Sequence, residues 1–202
     1  MDIEKILDTI FPFLKNWWLS LFLFPFGWIL TEQFWMALSA SISFSYNYPY
    51  PFFIFPAYFF IDNLTLFVHE SGHVIFGIFG WEFLPVLGGT LMEVLIPILI
   101  FLSGLFYKQP KTCQLGLFWC SFALYDTSAY CLDAKLRALP LIGNLPKSAH
   151  DFYNLLTMTH SMPYYRHFAW GLYIAGFILF LLSMAWPILG REKEYVDLEL
   201  NL

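Results

Sequence analysis

Apolar residues run along this chain in long blocks separated by short polar breaks. Five blocks reach the roughly 20 residues that a helix needs to cross a bilayer: about 17–42, 53–80, 84–107, 113–133 and 167–189. The pattern predicts an all-α membrane protein, a bundle of about five transmembrane helices, with 1–202 as a single polytopic membrane domain. Between the first two blocks lies Ser45-Tyr46-Asn47-Tyr48-Pro49-Tyr50-Pro51, a proline-broken tyrosine cluster suited to the headgroup zone. Pro97 falls inside the third block, where neighbouring groups must satisfy the carbonyl it frees. The first block is longer than the apolar core of a cleavable signal and follows Asp2, Glu4 and Asp8, so it reads as a retained anchor.

Composition agrees with a bilayer as the main solvent. Of 202 residues, 59% are hydrophobic, 22% aromatic and only 12% charged, about half the usual charged share of a soluble domain. The net charge of −5 and the scattered basic residues give nucleic acid no footing. Cys113, Cys120 and Cys131 lack both disulfide and metal-type spacing and read as small apolar fillers. Five alternating spans put Lys5, Lys15, Lys135, Arg137, Lys147 and Arg166 on one side and Lys108, Lys111, Arg191 and Lys193 on the other. The larger group places the N-terminus in the cytoplasm by the positive-inside rule. The compact chain carries no eukaryotic-type targeting signal, so the expected location is the bacterial inner (cytoplasmic) membrane.

The chemistry is concentrated in the second block, at Val68-His69-Glu70-Ser71-Gly72-His73-Val74. Two histidines four residues apart share one face of a helix, so both imidazoles can reach one Zn2+. Glu70 lies about 100° around, near enough to hold a water and take its proton once the metal has acidified it. Ionisable groups inside a spanning helix are costly, about 2.5–3.5 kcal/mol each at the centre. A metal gives three such groups on one patch a reason to be there.

This motif resembles the site-2 protease family of intramembrane zinc metalloproteases, whose hallmark is H-E-x-x-H in a membrane helix. Gly72 before the second histidine fits, as does Gly88-Gly89-Thr90, similar to the glycine-rich turns downstream of the motif in such proteins. The resemblance covers about 55–135. It implies a third ligand, an aspartate two helices later, in an Asn-x-x-Pro-(x)n-Asp-Gly setting. Here the corresponding stretch is Asp126-Thr127-Ser128-Ala129-Tyr130-Cys131-Leu132-Asp133-Ala134, with Asp for Asn, no proline and Ala for Gly. Asp133 matches the family position, while Asp126 better matches the depth of His73. His150 and Asp151, in the polar stretch before the fifth block, are further alternatives that a loop could fold back onto the metal.

Other polar residues are weighed against plainer roles. Glu93 in the third block is a ligand, a proton relay or a protonated packing group. Asp62 shares the helical face of His69 and either lines a water path or sits near a boundary. His160 and His167 read as interfacial. Gly88 and Gly89 could let a substrate strand approach bare backbone. The expected activity is hydrolysis of a peptide bond in a membrane protein or peptide substrate. A membrane zinc hydrolase of lipids or small amides and a non-enzymatic pseudo-protease scaffold stand as the other two readings.

Overall fold

The computed structural model of the protein describes residues 3–39 and 54–190, and no strand occurs among them. The long helices are α1 (Ile3–Leu38), α2 (Phe55–Gly77), α3 (Phe83–Phe106), α4 (Pro110–Asp133) and α6 (Tyr165–Leu189), with the short α5 (Asp151–Met158) in the connection between α4 and α6. The tyrosine cluster at 45–51 lies outside the described residues. Pro110 occupies the first turn of α4, where its missing N–H costs nothing. Pro97 is accommodated inside α3. Gly116 of α4 sits against it, and a Cβ there would meet the Pro97 carbonyl oxygen at 2.9 Å.

Among the described residues, three segments are long and apolar enough by themselves to cross a membrane: Phe13–Leu38, Phe83–Phe106 and Met162–Leu189. Helices α2 and α4 are more polar, for different reasons. In α2 the polar residues are those of the motif together with Asp62, Asn63 and Thr65, while its outer face carries exposed Phe60, Phe67 and Val74, continued just past its end by Ile78, 82% exposed. Such a face suits lipid and not water. Helix α4 is the central post, buried along most of its length among α1, α3 and α6. Its neighbours are protein, so it can carry polar groups that bond between helices. Gln114 Nε2 donates to Ser20 Oγ and to the Ser183 carbonyl, and Ser121 Oγ donates to the Gly176 carbonyl. Around α4 lies an aromatic core in which Phe34 stacks on Tyr173 and Phe26 meets Phe118 edge-on.

These contacts also set direction. Ser20 pairs with Gln114, Phe26 with Phe118, and Lys111 Nζ donates to the Asn16 carbonyl at 2.6 Å. Helices α1 and α4 therefore start at the same end and run side by side. Strict alternation of five spans had put Lys15 and Lys111 on opposite sides; the bundle brings their starts together. The basic-residue tally therefore no longer assigns a side to the N-terminus.

Candidate metal centre

The H-E-x-x-H residues lie on α2 where it crosses α3 at very short range. A Cβ on Gly72 would lie 2.1 Å from the Gly88 carbonyl oxygen, and one on Gly89 would lie 2.6 Å from the His69 ring. Gly88 and Gly89 therefore belong to a helix, not to a turn. The space over them is filled by α2, which corrects the expectation that a substrate strand approaches there. Their function is to let α2 bring His69 up to α3.

The two imidazoles are then fixed from behind. His69 Nδ1 lies 3.1 Å from Oε1 of Glu93 on α3, and Glu93 Oε2 accepts a hydrogen bond from Thr127 Oγ1 of α4 at 3.0 Å. His73 Nδ1 lies 2.7 Å from the Pro85 carbonyl oxygen. A carbonyl only accepts, so His73 Nδ1 carries the hydrogen; a carboxylate at Glu93 would impose the same tautomer on His69. With both rings neutral in that tautomer, their Nε2 lone pairs face forward. The rings meet edge to face, with centroids 4.7 Å apart.

In front of them stands Asp151. Its Oδ2 lies 3.0 Å from His69 Nε2 and 3.4 Å from His73 Nε2. Tetrahedral nitrogen and oxygen ligands about 2.0–2.1 Å from one zinc stand roughly 3.3 Å apart, so this spacing fits a shared ion. Burial disfavours charge on Asp151, yet the two imidazole contacts hold its carboxyl below the usual carboxylate range. Glu70 is half-buried beside the pair, and it, His69 and His73 each offer a ligand atom within 4.8 Å of the others.

Asp151 arrives by way of a latch between α4 and α5. Its backbone N–H donates to the Tyr130 hydroxyl at 3.1 Å. The preceding residue, His150, is fully buried and caps α5: its Nδ1 accepts the Tyr153 N–H, and the Tyr130 ring stacks on it at 4.1 Å. His150 Nε2 lies 3.4 Å from Asp133 Oδ2. Asp133 also accepts the backbone N–H groups of Ala138 and Leu139 at 2.8 and 2.9 Å.

The structure thus brings together His69, Glu70, His73 and Asp151, and commits Asp133 and His150 to the latch. The resemblance implies Asp133 as the third ligand; the carboxylate that meets both imidazoles is instead the alternative Asp151. Glu93 is the partner of His69. Asp126 is exposed although its neighbours on α4 are buried, and it lies within electrostatic range of Glu93, Asp62 and His69. His160 and His167 are exposed, on the α5–α6 connection and the first turn of α6. Reading the sequence missed Thr127, Tyr130 and the Pro85 carbonyl, whose residue types carry no signal of their own. No family model, curated protein or solved structure matches this chain.

Proposed function

We propose that the protein is an intramembrane zinc metalloprotease that hydrolyses a peptide bond in or near the membrane. His69, His73 and Asp151 would hold the ion. The observation that carries this reading is the convergence of two Nε2 atoms and one Oδ2 while both Nδ1 atoms face oxygen atoms of their own, so that in neutral rings of that tautomer all three converging atoms are acceptors. Three acceptors so close repel unless a cation or protons lie among them. A zinc ion there would polarise the scissile carbonyl and acidify a water.

The chain's own groups supply the rest. Glu70 takes the proton from the attacking water and returns it to the leaving amine. Glu93 and the Pro85 carbonyl keep both imidazoles in one tautomer and orientation. Asp62 of α2 and Asp126 of α4 would line the approach of water to the centre. All five long helices share the bilayer, with α2 turning its phenylalanines to lipid and α4 sheltered by its neighbours. The setting is a cell membrane, the bacterial inner membrane being the expected one.

The decisive experiment measures zinc content and cleavage of a model transmembrane peptide together. Glu70→Gln should keep zinc at one per chain and abolish cleavage. Full activity in that variant would end the mechanism. The 3.0 Å contact of Asp151 with His69 also suits a hydrogen bond from an imidazolium, which favours a second reading, a metal-free scaffold that binds partner helices. That reading requires substoichiometric zinc and tolerance of His69→Ala.

A further inference from the structure

At the end of the bundle away from the metal centre, the chain turns from α3 into α4 and leaves a cavity of about 490 Å³ between that turn, the Asn16 region of α1 and the last turn of α6. The turn reverses through Lys108, at φ 52°, and Gln109, which provides no side-chain cap to α4. The first N–H groups of α4 have no acceptor within the helix, and that end of a helix is positive. Lys108 and Lys111 line the cavity beside it. Lys111 spends one of its three donors on the Asn16 carbonyl and lies 5.7 Å from the centroid of the Trp18 ring.

Two buried atoms lining the same cavity have no hydrogen-bond partner, and they ask for opposite things. The indole Nε1–H of Trp186 needs an acceptor. Gln114 is only 1% exposed, and its Nε2 uses both hydrogens on Ser20 and Ser183, so its Oε1 needs a donor. An anion without a hydroxyl, such as sulfate, answers the first need and not the second. A phosphodiester that also carries a hydroxyl answers both. The surroundings belong to a bilayer boundary: Trp18, Phe106 and Tyr107 are exposed around this end, as in the aromatic belt of membrane proteins.

We infer that this cavity binds the headgroup of an anionic phospholipid, with the phosphate on Lys108, Lys111 and the α4 N-terminus and a headgroup hydroxyl on Gln114. Basic pockets between helices at a membrane face recognise headgroups in this way. The phosphate takes the Trp186 indole N–H as well. The site is separate from the metal centre and does not depend on the protein being a hydrolase.

The test uses the full chain extracted from vesicles of mixed phosphatidylglycerol and phosphatidylcholine, with retained lipid counted by native mass spectrometry. Phosphatidylglycerol should be retained in preference, because choline has no donor for Gln114 and masks the phosphate charge. Lys108→Gln with Lys111→Gln should lower that retention about tenfold, as expected for losing charge-assisted contacts. Trp186→Phe, which keeps the ring and removes only the N–H, should lower it severalfold, while Lys147→Gln at the opposite end should leave it unchanged. Equal retention of the two lipids overturns the inference, as does an equal effect of Lys147→Gln. If soluble glycerol phosphate displaces the lipid at comparable concentration, the site belongs to a free phosphate ester and the lipid assignment fails.

Discussion

His69 Nδ1 lies 3.1 Å from Glu93 Oε1, joining α2 to α3 inside an apolar bundle. An intramembrane carboxylate is costly unless it is paired, and here it meets an imidazole on one oxygen and the Thr127 hydroxyl on the other. Outer contacts of this kind typically tune metal affinity 10–100-fold. Glu93→Gln should therefore weaken zinc binding by about that factor, measured by competition with a chromogenic chelator. Thr127→Val should do the same in weaker form. Unchanged affinity in both variants would reduce Glu93 to a packing residue.

Asp151 and Asp133 are separable by mutation. Asp151→Ala should strip the metal, because it removes the only carboxylate placed between both Nε2 atoms among the described residues. Asp133→Asn should leave zinc in place. It should still lower stability by about 1–3 kcal/mol, since two backbone N–H groups and His150 share that side chain. Metal analysis of each variant, paired with its thermal unfolding midpoint, reads both effects. If Asp133→Asn lost the metal and Asp151→Ala kept it, the ligand assignment would reverse.

The α2–α3 crossing has no room for a methyl group. A Cβ at Gly72 would sit 2.1 Å from a backbone oxygen, which cannot move aside as a flexible side chain would. Gly72→Ala should destabilise the bundle by at least about 1–3 kcal/mol. It should also reduce zinc binding, since His69 and His73 ride on the displaced helix. Thermal unfolding in detergent and zinc stoichiometry would fall together. Gly171→Ala, at a position with open space around it, serves as the control.

Zinc occupancy should fall as pH drops below neutrality. Metal ligation uses deprotonated imidazoles and an ionised carboxylate, so each proton taken up by His69 or His73 competes with the ion. The sign is toward tighter binding at higher pH, and equilibrium dialysis across that range measures it. Occupancy independent of pH would place the ion on other groups.

How much could be read in advance depends on the distance over which each feature is set. The pairing of His69 with His73 follows from spacing alone, because i and i+4 share a helical face whatever surrounds the helix. The long apolar blocks likewise announced long helices, since blocks of that length fit little else. Glu93 was flagged by its presence in an apolar block, though not its partner.

Other features were settled only in three dimensions. Asp151 lies 82 residues from His69, and its arrival rests on the Asp133–His150–Tyr130 latch and on where α5 packs. The side-by-side run of α1 and α4 depends on which aromatic faces interlock, and no local period encodes that choice. Helix periodicity is a property of the backbone and survives in any context. Which of several aspartates meets a given histidine depends on the sum of many weak packing contacts, and only the folded bundle evaluates that sum.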